Sequence, residues 1–278
     1  MAESLGTVPP AGAALEELLP DVRHGSRGAG RRALTSIATP AGTVVGALLL
    51  WWVLSASGAF APSVLASPSA VWTAAGISGG QVVGELGTTV IEVLLAIAIS
   101  WFGGLAFGML LGGIGRLKPL LGLMRTAYAF PLIAIYPILT VWFGYALESK
   151  VIFGAFAGII PMTLMSASAV MTVDSSIYRL FRGLGASWFT TIWKGVLPAT
   201  LPGIAGSLRL SGSLALVGVI ASELLGSTQG LGYWISNSAQ TFDTPDLYLG
   251  AVFVVALAIV LQMVIRFIEI ACARFDPA

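Results

Sequence analysis

The hydrophobic positions of this chain fall into long continuous runs, without the alternation of period two that is typical of half-buried strands. Six runs could cross a bilayer, for which a helix needs about 20 mostly apolar residues. Continuous runs of this length favour helices over a β-barrel. We therefore predict an all-α integral membrane protein with six transmembrane helices, at about residues 41–59, 87–113, 119–144, 151–172, 202–225 and 247–271.

Composition supports a membrane location. Of the 278 residues, 56% are hydrophobic and 10% are charged, whereas soluble domains carry about 25% charged residues. Residues 1–36 are rich in Ala, Gly and Pro and lack a periodic apolar face, so we predict a disordered cytoplasmic tail. The six-helix domain then covers residues 37–274. A single cysteine, Cys272, and a single histidine, His24, offer neither a disulfide nor a metal site, so we expect no metal.

The basic residues predict the orientation of the spans. If the N-terminus is cytoplasmic, 13 of the 14 lysines and arginines lie on the cytoplasmic side and only Lys150 lies outside. We therefore predict that both termini are cytoplasmic. The net charge of +1 gives no reason to expect nucleic-acid binding.

The longest cytoplasmic loop, residues 173–201, carries a second pattern. Asp174 and Ser175 are suitable N-cap residues, and the apolar residues after them form one helical stripe. Gly183 and Gly185 then allow a bend. Such a helix could lie among lipid headgroups or dock a cytoplasmic partner, and both interpretations stay open at this point. The stripe consists of Ile177, Leu180, Phe181, Leu184 and Trp188.

Small and polar residues within the spans are candidates for a pathway. On the fifth span, serines, Ala215 and a glycine share one face, which favours close helix packing but also fits a pathway wall or a dimer seam. Prolines inside the third and fourth spans permit kinks, and Glu223 could hold an outer gate or bond to the turn at residues 230–232. Glu92 could extend to the outer interface. The predicted pathway or gate residues are Pro131, Tyr136, Pro137, Ser207, Ser211, Gly218, Ser222 and Glu223.

The order RGLGAS, nine residues, then LP (residues 182–198) resembles the EAA loop of permease subunits of ATP-binding-cassette (ABC) importers. Four further stretches resemble the nitrate, sulfonate and taurine branch of the binding-protein-dependent transport permeases. Arg179 replaces the glutamate of the motif, and Phe181 replaces an alanine. The further stretches are LASPSAVW (65–72), FPLIAIYPILTVWFGYALESK (130–150), LPATLPGIAGSLR (197–209) and SELLGSTQGLGYWI (222–235).

The resemblance implies a type I importer permease fold in the bacterial cytoplasmic (inner) membrane. It implies two ATP-binding-cassette ATPase subunits, a second permease copy (identical or related) and an extracytoplasmic substrate-binding protein. This chain lacks the GxxxxGK[ST] phosphate loop, so we expect no enzyme activity and no cofactor in it, with ATP and Mg bound by the ATPase. The expected coupling residues are Arg179, Leu180, Phe181, Arg182, Gly183, Leu184, Gly185, Ala186, Ser187, Trp188 and Pro198.

For the solute, the resemblance implies a small anion such as a sulfonate, nitrate or an aromatic carboxylate. A neutral heterocycle such as a vitamin precursor is the alternative. An ATP-independent secondary transporter fits less well, because six spans without an evident repeat and with few central charges are unusual for that class.

Overall fold

The computed structural model describes residue 42 and residues 45–273 of the chain. The predicted tail, residues 1–36, lies outside the described residues. The chain divides into two compact units, residues 1–60 and 61–278. In the first unit the described helix is α1, Val45–Ala56, an apolar helix within the predicted first span.

The second unit is helical wherever it is regular, so the all-α prediction is confirmed for the described residues. Four of its helices are long and apolar enough to cross a membrane, and a bent pair could supply a fifth span. Short 3-10 helices lie at Gly115–Leu117 and Leu132–Ile135, and a π-helical segment lies at Ile192–Val196. The helices are α2 (Pro68–Gly113), α3 (Lys118–Tyr128), α4 (Tyr136–Phe143), α5 (Leu147–Met171), α6 (Ser175–Gly183), α7 (Trp188–Thr191), α8 (Leu197–Leu225), α9 (Leu231–Gln240) and α10 (Thr244–Ala273).

Helix α2 is much longer than the span predicted at 87–113. It begins at Pro68, behind an N-cap in which the Ser67 hydroxyl accepts a hydrogen bond from Ala70 N. Its 46 residues extend for about 69 Å at 1.5 Å per residue, which is twice the hydrocarbon core of about 30 Å. Hydropathy locates only the membrane part of a helix, because Gln81 and Glu85 interrupt the apolar run without interrupting the helical backbone.

The predicted third span, 119–144, is broken rather than kinked. Helix α3 and the segment from Leu132 to Phe143 meet at an angle of 89°. Pro131 adopts an extended conformation at the break, where its ring locks φ and removes the N–H that a continuous helix would use. Pro137 lies in the first turn of α4, where the missing N–H costs nothing.

Glycines bring the long helices into close contact. A Cβ placed on Gly108 of α2 would lie 2.5 Å from Ser166 Cβ and 2.8 Å from Thr163 O of α5. Between α5 and α8, a Cβ on Gly158 would lie 2.7 Å from Ser211 O. These spacings leave room only for hydrogen, and Gly104, Gly108 and Gly112, four residues apart on α2, form one packing seam against α5.

We predict that Gly108→Ala destabilises the folded protein by about 1–3 kcal/mol, because the added methyl group must push α2 and α5 apart. Gly84→Ala is the matched control, since a Cβ on Gly84 of the same helix would have nothing within 4 Å. Unfolding of both variants in detergent would be compared with the parent. Equal stability of the two variants would contradict the packing seam.

Candidate functional site

The loop at residues 173–201 forms a capped helix, as predicted. The Asp174 carboxylate accepts a hydrogen bond from Ser176 N at 2.7 Å. Hydrogen bonds from the backbone and the side chain of Ser176 hold the pKa of Asp174 below its usual range. The carboxylate therefore stays ionised at neutral pH, where its charge stabilises the positive N-terminal end of α6.

Helix α6 ends in a motif that requires glycine. Gly185 N donates to Arg182 O and Ala186 N donates to Phe181 O, each at 3.0 Å. This pair of bonds is the Schellman arrangement, in which the residue after the cap adopts a left-handed conformation. Gly185 has φ of 68°, a region that favours glycine because it has no Cβ. The chain therefore turns sharply before residue 188.

This turn corrects the prediction of one continuous apolar stripe. Helix α6 stops at Gly183, and Trp188 begins a separate short helix, α7, capped by the Ser187 hydroxyl, which accepts from Thr190 N. Trp188 lines an apolar groove of about 310 Å³ together with Phe102 and Met109 of α2. The predicted stripe is therefore divided between two helices with different directions.

The residues of α6 and its C-cap residue, Leu184, divide into two faces. Ile177 and Phe181 face Gly195, where a Cβ would lie 3.0 Å from Ile177 Cγ2 and 2.7 Å from Phe181 Cε2. Leu180 and Leu184 are instead 60% and 73% exposed. One face thus anchors the helix, and the other presents leucine side chains that the described part of the chain leaves largely uncovered.

The remaining predicted loop residues, Arg179, Arg182 and Pro198, have different surroundings. Arg179, at the glutamate position of the EAA motif, donates to the hydroxyls of Ser175 and Ser176 at 2.7 and 2.8 Å. It is therefore held against its own helix. Arg182 is exposed. Pro198 lies in the first turn of α8, directly after the π-helical residues Ile192–Val196.

A second cluster forms where α8 ends. The Glu223 carboxylate is 1% exposed and accepts from Thr89 Oγ1 and from Gly232 N, both at 2.7 Å. The expected bond from Glu223 to the turn at 230–232 is thereby confirmed. Gly230 has φ of 106°, and a Cβ there would collide with the Glu223 carboxylate. The turn closes on a carboxylate, so it is not a phosphate-binding loop.

Two polar residues of α2 bond to this turn, and a third polar residue shares their helical face. Glu85, Thr89 and Glu92 are four and three residues apart, so they share one helical face. Glu85 Oε2 accepts from Gly230 N at 2.5 Å, and Leu231 N donates to Thr89 Oγ1 at 2.8 Å. Helix α2 therefore satisfies the N–H groups at the start of α9, which would otherwise lack partners.

Lys150 and Glu92 form a buried ion pair between α5 and α2, with side chains 4% and 1% exposed. Lys150 Nζ also donates to Gln229 O at 3.5 Å. The structure corrects two expectations: α5 begins at Leu147, so Lys150 lies inside the helix and not before a span that starts at 151, and Glu92 is buried and does not extend to the interface. A buried charge needs a partner of opposite sign, and each residue supplies that partner for the other.

The predicted gate residue Tyr136 joins the same region. Its hydroxyl donates to Gly226 O at 2.8 Å, and its ring packs edge-on against Phe153 with centroids 5.3 Å apart. The broken third span is thus tied to the end of α8. Tyr136 and Glu223 therefore both bond to the same segment, residues 226–232.

The other predicted pathway residues of α8 are buried within this chain. Ser211 Oγ donates to Gly158 O at 2.9 Å, and a Cβ on Gly218 would lie 2.9 Å from Gly154 Cα. Ser207 and Ser222 are 0% exposed and donate to carbonyls of their own helix. This face of α8 packs on α5, as the packing interpretation expected. Its pathway role stays a prediction, as do those of Pro131 and Pro137.

Sequence reasoning missed Glu85, Thr89, Lys150 and Gly195 as parts of these sites. The spacing of the three polar residues on α2 was a usable signal, because polar side chains in a span usually face protein. Gly195 carried no such signal, because its role depends on which segment α6 packs against in the folded chain. Among the described residues, no three His, Cys, Asp or Glu side chains come together as a metal site requires.

The described chain combines several helices long enough to cross a membrane with a capped, partly exposed helix between α5 and α8, an arrangement typical of a polytopic membrane subunit. The family model for inner membrane components of binding-protein-dependent transport systems matches residues 38–274. The chain belongs to this family. It is a permease subunit of an ABC transporter, and a separate subunit hydrolyses ATP.

Named relatives carry different solutes. The SsuC permease of Bacillus subtilis, named for aliphatic sulfonates, is 28% identical over 228 residues, covering 80% of this chain and 82% of SsuC. The taurine transport permease TauC of Escherichia coli is 27% identical, covering 82% and 86%. The formylaminopyrimidine transport permease ThiX of Halalkalibacterium halodurans is 27% identical, covering 76% and 84%.

A solved structure shares the fold. An inward-facing conformation of the MetNI methionine ABC transporter matches with a TM-score of 0.58 at 18% identity, covering 69% of this chain and 95% of that one. The predicted type I importer permease fold is thereby confirmed. The predicted number of six spans stays a prediction. The described residues contain four helices long and apolar enough to cross a membrane, one bent pair that could form a fifth span, and the shorter apolar helix α1.

We predict that Lys150→Met destabilises the protein by about 3–5 kcal/mol, because it leaves the Glu92 carboxylate buried without its partner. The double variant Lys150→Met/Glu92→Gln should recover most of that loss. Arg209→Met is the control: Arg209 pairs with Glu269 but its side chain is 50% exposed, so we expect a change of at most about 1 kcal/mol. Chemical unfolding in detergent measures all three, and an intact Lys150→Met variant would contradict the buried pair.

Proposed function

We propose that this chain is the permease of an ATP-driven importer that moves a small anion, such as a sulfonate, into the cytoplasm by alternating access. Similarity to SsuC and TauC supports the solute class, as do the sequence stretches shared with that branch. Two permease copies and two ATPase subunits would form the transporter, and an extracytoplasmic binding protein would deliver the solute.

The observation that carries the coupling proposal is the exposed face of α6. Leu180 and Leu184 are exposed on a helix whose other face is anchored at Gly195. A partner that covered these two leucines would remove apolar surface from water, which favours association. The ATPase would hold these leucines in an apolar groove and move α6 on closure.

The anchored face explains how force would reach the membrane. Phe181 and Ile177 contact Gly195, two residues before α8 begins at Leu197. A displacement of α6 would therefore be transmitted to the base of α8. Arg179, bonded to Ser175 and Ser176, supports the N-terminal turn of α6, and Arg182 remains available for an acidic group at the rim of the ATPase groove.

At the opposite end of α8, the Glu223 cluster would hold the outer side closed. Glu223, Thr89 and the turn at 230–232 connect α8, α2 and α9 through buried hydrogen bonds. Opening toward the outside would require these helices to move together or the bonds to break. The charge distribution supports this assignment of sides, with both termini in the cytoplasm.

We expect Leu184→Ala to lower the transport-coupled ATP hydrolysis of the reconstituted transporter by about tenfold, because an exposed anchor residue is lost from the docking surface. Leu94→Ala is the control, since Leu94 is also exposed, at 56%, but lies within the membrane part of α2. ATPase activity with and without the binding protein would be measured for both. Normal coupling in Leu184→Ala at normal stability would refute this docking surface.

The solute class is tested with the binding protein of the same transport system. We expect it to bind taurine or alkanesulfonates, and transport in proteoliposomes to require ATP inside the compartment that holds the ATPases. Preferential binding of a formylaminopyrimidine would favour the neutral heterocycle, a class represented by ThiX. Uptake that continues without ATP would instead indicate a secondary transporter.

A further inference from the structure

The turn between α9 and α10 contains an aromatic residue in an unusual conformation. Phe242 has φ of 59° and is the one non-glycine residue with positive φ in the described part of the chain. Its side chain is 85% exposed. Phe242 N donates to Ala239 O at 3.3 Å, and Asp243 N donates to Ser238 O at 2.9 Å. Helix α9 thus ends in the same Schellman arrangement as α6.

The two helix ends provide a comparison within one molecule. At the end of α6 the left-handed position is occupied by Gly185, with φ of 68°. At the end of α9 the same position is occupied by Phe242. A Cβ is unfavourable in this conformation, and an exposed ring gains little from packing within its own chain. Folding alone therefore favours glycine at residue 242, so the phenylalanine calls for another cause.

Phe242 stands on a rigid corner. Asp243 Oδ1 accepts from Asp246 N at 3.2 Å and so caps the start of α10. Thr244 Oγ1 donates to Ser63 O at 2.8 Å, and Trp234 Nε1 donates to Asp246 O at 3.0 Å. The backbone that carries the ring is thus held in place before any partner arrives. Preorganisation of this kind reduces the entropy lost on binding.

The charges around this corner indicate what could cover it. Asp243, directly after the ring, is exposed, and residues 226–246 contain no lysine or arginine. Lys150, which donates to Gln229 O, is buried against Glu92 and does not offset the exposed Asp243 carboxylate. An acidic surface repels anionic lipid headgroups, and phenylalanine lacks the polar group by which Trp and Tyr anchor at the interface. A protein with basic residues fits this surface better than a membrane does.

We propose that Phe242 is an anchor residue for the extracytoplasmic substrate-binding protein, which would receive the ring in an apolar pocket bordered by lysine or arginine. The acidic residues around Phe242 would face that basic border. This inference rests on the proposed function, because it requires residues 226–243 to lie outside the cytoplasm. By topology they lie at the end of α8 opposite to the coupling loop.

The decisive variant is Phe242→Gly, because it removes the ring and relieves the backbone at the same time. We expect its thermal stability in detergent to equal or exceed that of the parent. We expect its affinity for the purified binding protein of the same system, measured on the transporter in nanodiscs, to fall about tenfold or more. A merely structural phenylalanine would give the reverse result, with lower stability and unchanged affinity.

Phe267→Ala is the matched control, since Phe267 is an exposed aromatic residue, at 73%, near the other end of α10. The affinity of the Phe267→Ala transporter for the binding protein should equal that of the parent. Raising the salt concentration should weaken docking of the parent, because the acidic surface contributes through screened charges. If the Phe242→Gly variant binds the binding protein with unchanged affinity, the inference is overturned. It is also overturned if the substitution weakens only the binding of the permease to phosphatidylglycerol vesicles, or only the association between permease copies. If the parent binds no binding protein at all, the proposed function fails together with it.

Discussion

The fold depends on the satisfaction of a buried carboxylate. Glu223 lies at the end of α8, and its two oxygens accept hydrogen bonds from α2 and from the first turn of α9. A carboxylate removed from water is costly unless each of its oxygens finds donors. The chain meets that requirement by bringing three helices and a glycine-containing turn to one point, and the Lys150–Glu92 pair joins α5 to the same place.

The two ends of α8 are built on different principles. One end is closed by buried polar contacts that would have to break or move together. The other end carries α6, which is anchored by Ile177 and Phe181 on a glycine and exposes Leu180 and Leu184. One end of α8 is thus held by buried polar contacts, and the other end lies next to a helix with exposed leucine side chains.

Glycine has opposite uses in these regions. In the α2, α5 and α8 seams it allows backbones to approach, with no space for a Cβ. At Gly185 and Gly230 it allows positive φ. Phe242 also has positive φ although it is not a glycine, and its side chain is highly exposed at a turn held by several hydrogen bonds. Local strain at an exposed residue is therefore the clearest sign of a contact lying outside the chain.

The amino-acid sequence by itself determined that this is a helical membrane protein, that a capped helix follows Asp174, that prolines distort the predicted third span, and that a long loop lies at residues 173–201. These features follow from hydropathy, capping chemistry and proline geometry, which are local. Only the tertiary structure decided that Lys150 pairs with Glu92, that Gly195 receives Phe181, and that Trp188 belongs to a separate helix. Such contacts depend on the rotation and tilt of helices that are distant in sequence, and hydropathy carries no information about either.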